Sequence, residues 1–361
     1  MYVLKRLVLA ASLLAASALA QKRQEGYLGF NSGATRDNDH PKHQDDYEKE
    51  FKTARGLLNS PGSFSSVRLY TNVQSQTTAD PISAFPAALA TNTTMLLGIW
   101  CSGTSNINNE LTALDAALTK YGKPFADLVV GISVGSEDMY RISEDGIKNK
   151  AGVGNGPNEV VNFIKQVRAK IKGTALADKP VGHVDAWSAW SNKSNAAVLK
   201  AVDFVGTDLY PYYEKDKGND FSNVTAVFDY IYNKTLTAAG DKPVWITETG
   251  WPSKGPKSGQ AVPSIDNAKG FWDQIGCTLF GRQNVWWYNL RDSNPANKEK
   301  FGLSPELSVK PIFNLTCPAG SGAPASINNK IPSSASAAAS VASSVVCFSI
   351  FVFVSLLGWS I

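Results

Sequence analysis

Histidine is scarce in this sequence: three in 361 residues, His40, His43 and His183, far apart or exposed to no partner at ligand spacing. Cysteine numbers only four. No His/Cys cluster has the short intervals of a zinc module, so no metal and no other cofactor is expected. A dinucleotide loop is also missing, because Gly29-Phe30-Asn31-Ser32-Gly33 lacks the G-x-G-x-x-G spacing. The net charge is only +4, too little to supply a basic field for nucleic acid. After Lys330 there is no charged residue at all.

That last absence organises the carboxyl end. Val345 to Ile361 is almost wholly apolar and ends the chain without a basic tail. A spanning helix carries flanking charge on its cytosolic side, whereas a GPI signal is small residues, a polar spacer and a terminal apolar tail. Residues 319–340 therefore read as a Ser/Ala/Pro-rich linker with the attachment region, too poor in apolar side chains to pack, and 341–361 as a removed tail. The attachment residue is open between Asn328 and Ser336. At the other end Lys5-Arg6, an apolar run and Ala18-Leu19-Ala20 predict a signal peptide over 1–20, with an apolar core too short to span a bilayer. Lys22-Arg23 reads either as a dibasic processing site or as an ordinary basic pair at the new terminus. The expectation is a secreted monomer on the outer face of the cell membrane and in the cell wall, touching lipid only through its anchor.

Five sequons, at Asn92, Asn192, Asn223, Asn233 and Asn314, agree with a secretory route as glycosylation sites. Cys347 lies in the removed tail, which leaves three cysteines. Cys277 and Cys317 flank the last strand-like segment and are paired here, with Cys101 left free and buried behind Trp100.

Between the ends, about 300 residues suffice for one large domain, placed at 21–318. Apolar runs bounded by turn residues predict eight strands, at 27–33, 66–71, 94–101, 128–135, 180–186, 204–210, 243–249 and 284–290. Most are continuous rather than alternating, as strands buried on both faces of a parallel sheet are. Helical composition falls at 45–58, 109–121, 158–172, 223–238 and 264–280. Alternating units in this number predict a single-domain (β/α)₈ TIM barrel rather than a doubly wound sheet.

The active site of such a barrel lies where strands end at their carboxyl face. Glu137 closes the apolar run 128–136, and Glu248 ends the run that begins at Pro243. By position alone each is an ordinary loop acid or the partner of a lysine or arginine. As a pair they end the fourth and seventh predicted strands, which face each other across the barrel mouth. Glycoside hydrolysis needs two carboxyl groups flanking one bond, one protonated and one ionised. Trp100, Trp187, Trp251, Trp286 and Trp287 also fall at or near strand ends, and tryptophan rings stack on the apolar faces of sugars. Of Trp286 and Trp287, alternation sends one inward and the other toward the helices, without saying which meets sugar.

Four phrases carry a family resemblance: Ser66-Val67-Arg68-Leu69-Tyr70, residues 131–137 ending Gly135-Ser136-Glu137, Val205 to Pro211, and Ile246-Thr247-Glu248-Thr249-Gly250-Trp251-Pro252. From Tyr27 to Cys317 the chain resembles glycoside hydrolase family 17, in its fungal branch of GPI-anchored endo-β-1,3-glucanases and glucanosyltransferases. The resemblance implies a retaining glucan endo-1,3-β-D-glucosidase with Glu137 as acid/base and Glu248 as nucleophile, acting on cell-wall β-1,3-glucan. It further implies that Tyr70 and Tyr210 line the cleft, where tyrosines capping a barrel core are an equal reading of the residues. Trp251, Trp286 and Trp287 complete the expected substrate-binding set. The clan places asparagine before the acid/base to hold the sugar 2-hydroxyl, and this chain has Ser136, whose hydroxyl has a shorter reach. Two readings stand beside hydrolysis: glucanosyl transfer to a second glucan chain, and a non-catalytic wall-binding barrel.

Overall fold

A computed structural model describes residues 26–324. The expected signal peptide over 1–20, Lys22-Arg23, Asn328, Ser336, Cys347 and the apolar tail lie outside the described residues. The strands are β1 (Leu28–Ser32), β2 (Ser66–Leu69), β3 (Thr94–Ile99), β4 (Val129–Ser136), β5 (Val181–Ala186), β6 (Val205–Leu209), β7 (Val244–Thr249) and β8 (Val285–Trp287). They form a closed parallel barrel in chain order, with β8 returning to β1 through Gly29 and Trp286. This is the predicted TIM barrel.

The α-helices are α1 (Gln44–Gly56), α2 (Ala84–Thr91), α3 (Asn108–Leu128), α4 (Asp138–Arg141), α5 (Glu144–Lys148), α6 (Pro157–Ile171), α7 (Trp187–Ser191), α8 (Ala196–Ala201), α9 (Val224–Ala239), α10 (Ile265–Phe271) and α11 (Cys277–Leu279). The α3 span breaks at Gly122, one residue beyond the predicted end, where φ is 58°. The helix expected over 264–280 is divided by a π turn at Trp272–Gly276. Short helices α4, α5, α7 and α8 escaped the sequence reading, since four to six residues show no period.

Strand burial on both faces follows from two apolar layers. Inside the barrel, Leu96, Val130, Phe204, Trp245 and Trp286 pack together, with the Phe204 and Trp245 rings stacked at 3.8 Å. Outside it, residues such as Leu97, Ile132 and Val134 meet Leu114, Val160 and Ile164 of α3 and α6. The eighth strand is shorter than expected because Asn289 and Leu290 turn their carbonyls to the amides of Leu303 and Ser304 on a returning loop.

Cys277 and Cys317 form a disulfide with Cα atoms 5.6 Å apart, and Cys101 is free and buried. The domain does not stop at residue 318 as expected. Ala323 packs against the apolar cluster around Trp272, and Pro324 lies over Gly62 and Gly281. All five sequon asparagines are exposed.

Candidate active site

At the end of β4 the chain makes two left-handed steps, at Gly135 with φ 86° and at Glu137 with φ 58°. Glycine is required at the first, because a Cβ there would sit 2.5 Å from Asp138 Oδ2 and 2.9 Å from the His183 ring. The second turns the Glu137 side chain out of the barrel wall and into the cleft. Neighbouring groups fix this turn from every side. The Glu137 amide donates to the Val184 carbonyl at 2.9 Å. Asp138 Oδ2 accepts the Ser136 amide at 3.0 Å, and its Oδ1 accepts from Ser102 and Asn155, both at 3.0 Å. Asp185 on β5 caps α4 from outside, accepting the amides of Met139 at 2.9 Å and Tyr140 at 3.1 Å.

Glu248, on β7, is held by three donors. Its Oε1 accepts from Arg68 Nη1 at 2.6 Å and from the Tyr70 hydroxyl at 2.7 Å, while Oε2 accepts from the Tyr210 hydroxyl at 2.7 Å. Burial and the Glu248 charge push both phenols well above their ordinary pKa, so each keeps its hydrogen and donates. Arg68 is almost completely buried and ties four strands together: it also donates to Asn31 at 2.8 Å and to Ser136 Oγ at 3.0 Å. Asn31 in turn donates to the Thr247 and Trp286 carbonyls at 3.0 Å. A guanidinium fork suits this geometry, since it presents several donors at fixed angles to carboxylate and carbonyl oxygens.

Glu137 and Glu248 line one cleft of about 700 Å³, with Asn31, Tyr70, Trp100, Ser136, Arg141 and Tyr288 on its walls. Their electrostatics differ. Burial first, and then the Glu248 charge, push the Glu137 carboxyl up to about 7, against the pull of Arg141, whose Nη2 is 3.8 Å away. The site thus pairs a carboxyl that holds its proton near neutrality with one surrounded by donors, the division of labour two-carboxylate hydrolysis requires. Among the described residues no group of His, Cys, Asp and Glu is arranged to hold a metal ion.

The expected site residues divide. Tyr70, Ser136, Glu137, Tyr210 and Glu248 come together, and the three tryptophans do not. Trp251 is buried beneath the rim, edge-on to Tyr212 and Phe221, with its Nε1 donating to the Val262 carbonyl at 3.0 Å. Trp286 does point into the barrel, but at the level of Gly29, below Asn31, where it packs on Trp245 and donates to Ser66 Oγ at 3.1 Å. Trp287 points outward into Trp272, Phe271 and Phe280. These three positions are corrected to core residues. Trp187 donates to Glu214 at 2.6 Å away from the cleft lining. The tryptophan that borders the cleft is Trp100, 36% exposed, with the Arg141 guanidinium over its ring.

Two buried charged residues near Glu248 were present in the quoted phrases but not recognised as part of the site. Arg68 stands two residues before Tyr70 and Asp208 two before Tyr210, so each pair shares a strand face. That period of two was the available signal. Asp208 is buried, accepts from Thr247 Oγ1 at 2.7 Å, and has its carboxyl pushed well up by burial and the Glu248 charge.

Residues 29–305 match the BtgE/BtgC glycoside hydrolase domain. The chain belongs to the BtgE/BtgC glycoside hydrolase family. The chain is 50% identical over 307 residues to the "probable glucan endo-1,3-beta-glucosidase eglC" of Aspergillus oryzae, covering 84% of this chain and 66% of that one. It is 29% identical to the "glucan 1,3-beta-glucosidase" of Saccharomyces cerevisiae over 73% of this chain and 79% of the yeast one. The matched region thus spans just under two thirds of the Aspergillus oryzae relative. In fold, the chain is similar to a solved family 17 β-1,3-glucanosyltransferase from Rhizomucor miehei, with TM-score 0.63 and 23% identity over 80% of this chain and 99% of that one.

Proposed function

We propose that the protein is a retaining endo-β-1,3-glucanase that cleaves wall glucan by double displacement. The observation that carries this reading is the unlike pair in one cleft, Glu137 with its carboxyl raised to about 7 and Glu248 gripped by Arg68, Tyr70 and Tyr210. Glu248 attacks the anomeric carbon while Glu137 passes its proton to the leaving glucan oxygen, giving a glycosyl ester on Glu248. Glu137, now ionised, takes a proton from water, whose oxygen attacks the anomeric carbon, breaks its bond to Glu248 and regenerates both groups. As negative charge leaves Glu248, the phenols and Arg68 stay in place and receive it again when the ester breaks. Ser136 Oγ already accepts from Arg68, so its hydrogen is the part left to contact the sugar 2-hydroxyl. The β-1,3 linkage is supported by the printed names of the relatives.

Incubation with a reduced laminari-oligosaccharide tests the reading. Shorter products of retained β configuration by NMR are expected. Products first appearing as the α anomer overturn the double displacement, and products longer than the substrate replace hydrolysis with glucanosyl transfer. The same proposal places the enzyme outside the cell, glycosylated and GPI-anchored, in keeping with the exposed sequons and the disulfide. Release from membranes by phosphatidylinositol-specific phospholipase is the expected result, and a protein that stays bound and retains its apolar tail by mass spectrometry refutes it.

A further inference from the structure

His183 is fully buried in β5 and takes no part in the carboxylate chemistry above. Its Nδ1 lies 2.5 Å from the Val134 carbonyl oxygen and its Nε2 lies 2.9 Å from Asp185 Oδ2. A carbonyl oxygen only accepts, so Nδ1 carries a hydrogen. One further proton lies between Nε2 and the Asp185 carboxyl, and the surroundings of Asp185 decide its owner. Oδ2 also accepts the Met139 amide, and Oδ1 accepts the amides of Tyr140 and Ala186. Three amide hydrogens stabilise negative charge on the carboxyl, which leaves the shared proton on the ring.

The other elements packed on the ring agree. Asp138 supplies a second acid, since its Oδ2 and the ring both come within 2.9 Å of the point a Gly135 Cβ would occupy. From α7, the Trp190 ring packs edge-on at 5.5 Å, and from β6 the register partner is Val205; neither carries charge. Asp185 and Asp138 raise the ring's pKa against the opposing effect of burial.

We propose that His183 is a positioning residue whose buried imidazolium balances the charge of Asp185, with Asp138 close by, and so fixes both the turn that presents Glu137 and the proton affinity of Glu137. The ring bonds Val134 ahead of the left-handed steps, and Asp185 bonds the first amides of α4 behind them. Ring and carboxylate therefore bracket Glu137 from both sides. Asp185 also pushes the Glu137 carboxyl upward through space. Without the imidazolium that effect is uncompensated, so the acid binds its proton more tightly. The kinetic part rests on the reading of Glu137 as acid/base.

Nitrogen-15 NMR of the full chain, labelled at histidine, tests the charge. His183→Gln identifies the signal by its loss; if that variant does not fold, His40→Gln and His43→Gln identify it by elimination. Both ring nitrogens are expected to carry hydrogen at pH 7, where an ordinary histidine is mostly neutral. A neutral tautomer at pH 7 overturns the proposal. In folded His183→Gln, kcat/KM on the laminari-oligosaccharide should keep its shape but move its basic limb upward by roughly half a pH unit, with kcat lowered more than KM is changed. A merely structural histidine would lower stability and leave that limb in place, which refutes the positioning role. Should the unmodified chain cleave no glucan, the acid/base reading fails while the nitrogen shifts still decide the ring's charge.

Discussion

Replacing Arg141 with glutamine should raise the pH at which glucan cleavage fails. Under the proposed mechanism the productive free form has Glu137 protonated, so kcat/KM should fall about tenfold per unit of pH beyond the pKa of that group. That limb is expected near pH 7 in the unmodified protein, because burial and Glu248 push Glu137 up to about 7. Arg141 opposes them from 3.8 Å, with both side chains partly exposed. At that separation and an effective dielectric near that of water, a unit charge contributes about 1 kcal/mol, or roughly 0.7 of a pKa unit. Removing it should carry the limb upward by that amount. At pH 8.5 the variant should then retain about five times more of its own plateau activity than the unmodified enzyme does. Arg141 also covers the Trp100 ring, so rates must be normalised to each plateau before comparison. The assay is kcat/KM on a laminari-oligosaccharide from pH 4 to 9. A limb that stays put or moves down after the substitution refutes the electrostatic account, as does an unmodified limb at the ordinary carboxyl range.

Three further outcomes are expected. Because the folded chain binds the Glu137 proton more tightly than an unfolded chain with the ordinary value of 4.5, this group's contribution is fully present below pH 4.5 and is lost as pH rises through about 7. Glu137→Gln should therefore match the unmodified Tm near pH 4 and exceed it at pH 8; equal Tm values at both ends refute the shift. Arg68→Met leaves Glu248 without its cation and orphans Asn31 and Ser136, and should cost about 3 to 5 kcal/mol in denaturant unfolding together with nearly all activity. Trp100→Ala should raise KM with a stability change of about 0.5 kcal/mol, whereas Trp286→Ala should lose about 3 to 5 kcal/mol by leaving a core cavity. The reverse ranking would return Trp286 to the sugar.

The barrel was legible because its strands are buried on both faces, and continuous apolar runs such as 128–135 read plainly without any alternation. The two glutamates were legible because acids rarely end such runs. The tryptophans misled, since nearness to a strand end in sequence does not give height along the barrel axis. Trp286 is level with Gly29, and only the register of β8 against β1 reveals it. Trp251 follows β7 directly, yet the loop folds it under Tyr212. Arg68 was invisible for a different reason: its value lies in contacts with Asn31, Ser136 and Glu248, which belong to three other strands and meet only when the barrel closes.

The left-handed backbone at Glu137 also constrains how such a protein can lose its catalysis over time. A side chain at φ 58° and ψ 25° costs about 1 to 2 kcal/mol relative to glycine, and the surrounding hydrogen bonds impose that conformation whatever residue stands there. Glycine, asparagine or aspartate at 137 would suit the backbone better than glutamate does. Mutational drift at this codon is thus biased toward barrels that fold more firmly and no longer cut, leaving Glu248, Tyr70 and the cleft walls in place. Under the proposed function, the step from a glucan-cutting to a glucan-holding barrel at this one position runs downhill in folding energy.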